Sequence, residues 1–107
     1  MSVPEISVDD LAQRLADGAR VVDVREDQEY LAGHIPGAVH VALGTVPDHV
    51  DRFRGEGPTY VVCMSGGRSQ RACEFIAQFG VEVVNVTGGT RAWVQSGRPV
   101  VEGSLPA

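Results

Sequence analysis

The sequence predicts an α/β domain in which an open parallel sheet carries helices on both faces. Short, nearly unbroken runs of β-branched residues recur along the 107-residue chain, as expected of strands covered on both sides. Helical stretches separate these runs, and parallel strands need such right-handed crossovers between them. The alternation therefore favours an open α/β sheet over a meander of antiparallel strands.

The predicted strands share a short, almost wholly apolar composition. The three strongest candidates are 21–24, 60–63 and 83–86. A weaker candidate at 38–41 is expected at an edge of the sheet. The sheet is thus predicted to have a central part made of the three strong runs.

The predicted helices are placed by capping residues and by glycine stops. Ser7 precedes the apolar rhythm of Leu11 and Leu15, and Gly18 can end that first helix. Four later helices are predicted over 26–32, 46–53, 69–79 and 90–96. One domain is expected over 1–107, with a core at about 5–100 and a C-terminal tail at 101–107 that docks briefly and then frays.

Composition and charge limit the classes of partner. The chain is 43% hydrophobic and 21% charged, and no apolar run approaches the roughly 20 residues of a membrane span. The amino terminus lacks the basic and apolar pattern of a secretory signal. A net charge of −5 with scattered arginines argues against nucleic acid. We expect a soluble cytoplasmic protein without a membrane or nucleic-acid partner.

The two cysteines, Cys63 and Cys73, each need an explanation of their own. They lack the spacing and the histidine companions of a zinc site, and a reducing cytosol disfavours a disulfide between them. Cys73 lies on a predicted helix among apolar neighbours, so we interpret it as a packed thiol. We predict no metal and no other cofactor.

Cys63 opens the segment in which chemistry is expected, Cys63-Met64-Ser65-Gly66-Gly67-Arg68-Ser69. Ligands of open α/β sheets collect at the carboxyl ends of strands, where Cys63 is placed. Gly66 and Gly67 allow positive φ angles, so that successive N–H groups can form an anion-binding nest. The helix expected from Ser69 adds its positive end, and such surroundings lower the pKa of a cysteine.

Arg68 leaves two interpretations open. Its guanidinium can form a salt bridge that holds the loop, or it can bind the oxygens of an incoming oxyanion. A lone cysteine at a strand end is more often a small buried hydrophobe than a nucleophile. Paired glycines and an arginine have little value as core packing, however, so the loop favours function.

The segment 63–69 resembles the active-site loop of the rhodanese family. The resemblance extends to further motifs between about 21 and 99, namely Asp23-Val24-Arg25, Glu29-Tyr30, Gly33-His34-Ile35-Pro36-Gly37-Ala38, Gly88-Gly89 and Ala92-Trp93. It implies a five-stranded parallel sheet flanked by helices. It also implies a sulfurtransferase in which Cys63 takes sulfane sulfur from a donor as a persulfide and passes it to a thiophilic acceptor.

One departure from that family concerns the donor. Many relatives that use thiosulfate place a basic side chain directly after the cysteine, where this chain has Met64. The hypothesis is therefore that a protein or a low-molecular-weight persulfide donates the sulfur, and that thiosulfate, a small sulfur-containing anion, is a poor donor. A protein is also a candidate acceptor.

The remaining polar residues are given structural roles first. Asp23 and Arg25 follow a strand and can support the site, but an ion pair that fixes the turn is favoured. His34 is expected to make structural hydrogen bonds, and His40 and His49 are interpreted as incidental. Trp93 is predicted to pack in the core.

Two other functions compete with sulfur transfer. Phosphatases of this fold also end a cysteine loop in arginine, but only four residues separate Cys63 from Arg68, one fewer than their pattern. The shorter loop is expected to be too small for phosphate. A non-catalytic regulatory or docking module is the other alternative, although such relatives typically lose the cysteine that this chain keeps.

Overall fold

The computed structural model describes residues 3–107 and shows the five-stranded parallel sheet that the resemblance implied. The strands are β1 (Glu5–Ile6), β2 (Arg20–Asp23), β3 (Val39–His40), β4 (Thr59–Val62) and β5 (Val83–Val86). Their order across the sheet is β1-β5-β4-β2-β3, and all pairs are parallel. β4 is therefore central, and β3 lies at an edge as predicted.

Four α-helices cover the sheet in the part of the chain that the structure describes. They are α1 (Val8–Ala16), α2 (Asp27–Ala32), α3 (Gly67–Ala77) and α4 (Gly89–Gln95). Ser7 caps α1, because its Oγ accepts a hydrogen bond from the Asp10 N–H at 3.1 Å. Within the described part of the chain, no helix has the length and apolar character needed to cross a membrane.

The single helix predicted over 46–53 is wrong in form. Two 3₁₀ helices, Leu43–Asp48 and Val50–Phe53, occupy this crossover. The backbone leaves the helical region within the predicted span, so one continuous α-helix does not form there. His49 then adopts φ −133° and ψ 28°, which separates the two short helices.

The core consists of two apolar clusters, one on each face of the sheet. Val22 belongs to the cluster that includes Ile76 of α3. Its neighbour Val21 points to the opposite cluster, which includes Leu11 of α1 and Trp93 of α4. This alternation within one strand explains why the strands have almost no polar positions, since both faces are buried.

The C-terminal tail is bonded further along its length than expected. His34 and Val101 exchange backbone hydrogen bonds of 2.9 Å in an antiparallel bridge. The Gly103 N–H donates to the Leu31 carbonyl at 2.9 Å, and the Gly37 N–H donates to the Pro106 carbonyl at 2.8 Å. The tail therefore remains attached as far as Pro106 instead of fraying after a brief contact.

Candidate active site

Cys63 lies directly after β4, at the carboxyl end of the central strand, and is 1% exposed. Its Sγ accepts a hydrogen bond from the Gly66 N–H at 3.1 Å and lies 3.3 Å from the Ser69 Oγ. Gly66 makes this turn possible with φ of +114°, a conformation that side chains rarely adopt. The chain thus curls around the sulfur.

The prediction for Gly67 is wrong in detail. Gly67 is absent from the glycines with positive φ among the described residues and is instead the first residue of α3. The helix begins two residues earlier than predicted, so Arg68 and Ser69 lie in its first turn. Only Gly66 of the glycine pair supplies the left-handed turn.

The surroundings of Cys63 favour its ionised form. Burial raises the pKa of the thiol, but hydrogen bonds from the Ser69 hydroxyl and from the backbone N–H groups of Ser69, Gly66 and Ser65 outweigh it. The pKa of Cys63 therefore lies below its ordinary value. A thiolate is the nucleophilic form of cysteine, so this shift favours reactivity.

The amino-terminal end of α4 supports the start of the loop. The Thr90 N–H donates to the Cys63 carbonyl at 2.8 Å, and the Arg91 N–H donates to the Met64 carbonyl at 2.9 Å. Gly89 allows this approach, because a Cβ there would lie 2.6 Å from the Met64 oxygen. This close approach explains why the Gly88-Gly89 motif has a glycine at position 89.

Arg68 forms a salt bridge with Glu29 of α2. Its Nη1 lies 2.7 Å from Glu29 Oε1, and its Nη2 lies 2.9 Å from Oε2. The hydrogen bond from Arg68 lowers the pKa of Glu29 to about 2, against the opposing effect of burial. Both ends of the guanidinium fork are engaged in this structure, which is the loop-holding arrangement of the two that the sequence left open.

Asp23 and Arg25 form the ion pair that the sequence favoured. Asp23 is fully buried, Arg25 is 2% exposed, and Arg25 Nη2 lies 2.9 Å from Asp23 Oδ2. The same nitrogen donates to the Gly33 carbonyl at 2.8 Å. The pair thereby ties the end of β2 to the end of α2, and its charges are already satisfied.

Asn85 is a buried polar residue that the sequence analysis missed. It lies within β5, is 3% exposed, and has its Oδ1 2.5 Å from Ser69 Oγ. Its Nδ2 donates to the Gly66 carbonyl at 3.2 Å. The available signal was an amide within the apolar run Val-Val-Asn-Val, because a buried amide must find hydrogen-bond partners.

A groove of about 480 Å³ opens beside the loop. Its walls are mainly apolar, and they include Ala32, Met64, Val94 and Val100. Arg25, Glu29 and Arg91 also line it. Among residues 3–107, Arg91 is the groove-lining arginine without a salt bridge. The groove therefore offers apolar surface next to Met64, the residue that follows Cys63, and one unengaged cation.

The other singled-out residues make no hydrogen bond to the Cys63 sulfur within the described chain. His34 is fully buried, with ring nitrogens 2.9 Å from the carbonyls of Tyr30 and Leu105. Cys73 is fully buried in the α3 core, and burial raises its pKa to about 12. Trp93 packs in the other cluster and donates its Nε1–H to the Pro99 carbonyl at 2.8 Å. All three have structural contacts.

The remaining two histidines also have ordinary surroundings. His40, at the edge of the sheet, places Nε2 2.7 Å from the Arg25 carbonyl. His49 is exposed between the two 3₁₀ helices. Neither residue has a hydrogen bond to Cys63 in the described chain.

Comparison with known proteins gives this geometry a family. A rhodanese-like domain model matches residues 7–96. A sulfurtransferase of Allochromatium vinosum is 36% identical over 102 residues, covering 92% of this chain and 95% of that protein. The thiosulfate sulfurtransferase GlpE of Pseudomonas entomophila is 40% identical over 79 residues, covering 73% of this chain and 72% of that protein.

A solved structure agrees with the sequence comparisons. The crystal structure of a rhodanese-related protein from Thermoplasma volcanium has a TM-score of 0.85 to this chain at 31% identity, covering 92% of this chain and 97% of that one. The match of the domain model to most of the sequence, together with this shared fold, shows that the chain belongs to the rhodanese-like domain family.

Proposed function

We propose that this protein is a sulfurtransferase that carries sulfane sulfur as a persulfide on Cys63. The observation that carries the proposal is the position of the Cys63 sulfur, which lies at the end of the central strand and accepts a hydrogen bond from the Gly66 N–H. The family relationship supports the same activity, since relatives bear the name sulfurtransferase. The loop residues Met64–Ser69 form the proposed binding cradle.

The proposed reaction has two displacement steps. The Cys63 thiolate attacks the outer sulfur of a donor persulfide, the donor's S–S bond breaks, and the donor thiol leaves with the proton of the outer sulfur. An acceptor nucleophile then attacks the terminal sulfur on Cys63, and the thiolate is regenerated. Backbone N–H groups of the cradle stabilise the negative charge at each stage.

A persulfide is the proposed donor because, among residues 3–107, Arg91 is the one arginine of the loop and the groove that has no salt bridge to a carboxylate. Arg68 is engaged by Glu29, and Arg25 is engaged by Asp23. Met64 adds no charge, and the adjoining groove is mainly apolar. A dianion such as thiosulfate gains little from such a site, whereas the apolar body of a thiol carrier gains contact area there.

Thiosulfate is the donor to compare with a persulfide, because one relative is named thiosulfate sulfurtransferase.

A protein is the proposed acceptor alongside small thiophiles. The cytoplasm is the proposed compartment, since reducing conditions keep the Cys63 and Cys73 thiols free. A docking module without activity is disfavoured, because it has no need of a thiol with a lowered pKa.

The proposal is tested by measuring thiocyanate formation from cyanide with two donors, thiosulfate and glutathione persulfide. We expect turnover that disappears in Cys63→Ala and persists in Cys73→Ala, with a higher kcat/KM for the persulfide. Absence of turnover with both donors would support the docking module. A higher kcat/KM for thiosulfate would contradict the proposed donor and leave the transfer activity standing.

A further inference from the structure

Ser69 and Asn85 share a hydrogen bond next to the Cys63 sulfur. The Ser69 Oγ lies 3.3 Å from Cys63 Sγ, 3.2 Å from the Gly66 carbonyl oxygen and 2.5 Å from Asn85 Oδ1. Ser69 is fully buried and Asn85 is 3% exposed, so water does not compete at these atoms. The Ser69 hydroxyl therefore hydrogen-bonds to protein atoms and not to solvent.

The orientation of the Asn85 amide follows from its other contact. Its second terminal atom lies 3.2 Å from the Gly66 carbonyl, which only accepts hydrogen bonds. That atom must therefore be the amide nitrogen, and Oδ1 must face Ser69. The Gly66 carbonyl also accepts from the Gln70 N–H at 3.1 Å, so it has a partner besides Asn85.

Ser69 has one hydrogen for three acceptors. A hydroxyl donates once and accepts through its lone pairs. The shortest of the three separations joins Ser69 Oγ to Asn85 Oδ1. While Cys63 is a neutral thiol, the hydroxyl hydrogen points to Asn85, and a lone pair of Ser69 faces the S–H of Cys63.

We infer that Asn85 is a positioning residue that holds the Ser69 hydrogen until the Cys63 sulfur becomes charged. A charge-assisted hydrogen bond is about twice as strong as a neutral one, so the hydrogen turns to the sulfur when the thiolate forms. Asn85 Oδ1 then loses its donor in a buried place, which opposes ionisation. The amide thereby limits how strongly Ser69 stabilises the thiolate.

This inference rests on the proposed function for its part in turnover. In the persulfide the negative charge resides on the outer sulfur, and Cys63 Sγ becomes a neutral bridging atom. The Ser69 hydrogen then returns to Asn85. When an acceptor removes the outer sulfur, the hydrogen turns back to stabilise the departing thiolate. One hydroxyl thus follows the charge of the sulfur through both steps.

The test is the pKa of Cys63 in Asn85→Val, measured as the pH dependence of thiolate absorbance and of alkylation rate. Removing the competing acceptor is expected to raise the ionisation constant about tenfold, which lowers the pKa. If Asn85 only held the loop in place, its loss would weaken the hydrogen bonds to the Cys63 sulfur and would raise the pKa of Cys63. A raised pKa in Asn85→Val would therefore overturn the inference.

The matched control is the same substitution in a Ser69→Ala background. With no hydroxyl to share, Asn85→Val is expected to leave the pKa of Cys63 where Ser69→Ala puts it. A decrease as large as that in the wild-type background would overturn the inference. The titration needs no sulfur donor, so it reads out the role of Asn85 whether or not the transfer assay succeeds.

A measurement on the unsubstituted amide covers the case in which Asn85→Val does not fold. The ¹³C shift of the Asn85 side-chain carbonyl is followed by NMR as Cys63 is titrated. Loss of the Ser69 donor is expected to move this resonance with the ionisation of Cys63. An equally large movement in Ser69→Ala would overturn the inference, since that variant has no hydroxyl to give up.

Discussion

Arg68 and Glu29 meet end to end, with both guanidinium nitrogens Nη1 and Nη2 on the two carboxylate oxygens at 2.7 and 2.9 Å. Glu29 belongs to α2, and Arg68 belongs to the first turn of α3. The salt bridge therefore connects the loop that curls around Cys63 to a helix that precedes the central strand. The stability of the fold and the position of the loop therefore both depend on the ionised Glu29 carboxylate.

Glu29→Gln is expected to lower the free energy of unfolding by about 1 kcal/mol at pH 7, a value near the upper end for partly exposed pairs. The pKa of Glu29 is about 2 in the folded protein and 4.5 ordinarily, so its contribution is fully present above pH 4.5 and is lost as the pH falls toward 2. Urea unfolding at pH 7 and at pH 3 checks this. A difference between the proteins that grows on acidification would contradict it.

Gly66→Ala and Gly67→Ala are expected to differ although the residues are adjacent. Alanine at position 66 must adopt φ near +114°, which costs about 1–2 kcal/mol and moves the N–H that contacts Cys63. Alanine at position 67 meets nothing within 4 Å and lies in a helix, where it is expected to be neutral or slightly stabilising. Urea unfolding of both variants distinguishes them. Equal losses would refute the assignment of the turn to Gly66.

The two thiols are expected to react in a fixed order. At neutral pH, iodoacetamide should label Cys63, whose pKa is lowered by hydrogen bonds against its burial, before Cys73, whose pKa burial raises to about 12. Peptide mapping by mass spectrometry after a short reaction measures the order. The urea-unfolded protein is the control, in which both cysteines should react alike. Preferential labelling of Cys73 in the folded protein would be inconsistent with these environments.

Met64→Arg is expected to raise kcat/KM with thiosulfate about tenfold, which corresponds to about 1.4 kcal/mol of added transition-state binding. The new cation would lie at the groove, directly after Cys63. The kcat/KM with glutathione persulfide should rise less, because its reacting sulfur group carries one negative charge, whereas thiosulfate carries two. Met64→Leu, which keeps the shape and the neutrality, should behave as the wild type. An unchanged kcat/KM with thiosulfate in Met64→Arg would contradict the proposal that the neutral Met64 makes thiosulfate a poor donor.

The sequence predicted the fold well because its strands are buried on both faces. Such strands leave apolar runs that are visible without a structure, and β5 matches its predicted bounds. β1 is only the two residues Glu5–Ile6 and has no such run, so it entered only through the family resemblance. The crossover at 46–53 forms two 3₁₀ helices where one helix was predicted, because nothing in the local sequence pattern indicates the break at His49.

The candidate site was predicted where it depends on local sequence and incompletely elsewhere. Cys63, Gly66 and Ser69 lie within seven residues, so their spacing alone indicates a cradle. Asn85 reaches Ser69 across the sheet from the neighbouring strand β5. Arg68 finds Glu29 at a separation of 39 residues. Such long-range partners depend on strand order and helix placement, which single-sequence patterns do not specify.

The central claim, that sulfur resides on Cys63, is tested most directly by intact-protein mass spectrometry under native conditions. The protein is incubated with glutathione persulfide or thiosulfate, freed of the donor, and compared with Cys63→Ala and Cys73→Ala. The prediction is one added sulfur atom in the wild type and in Cys73→Ala, lost on addition of cyanide, and no addition in Cys63→Ala. Sulfur addition that persists in Cys63→Ala, or its absence from the wild type with both donors, would contradict the claim.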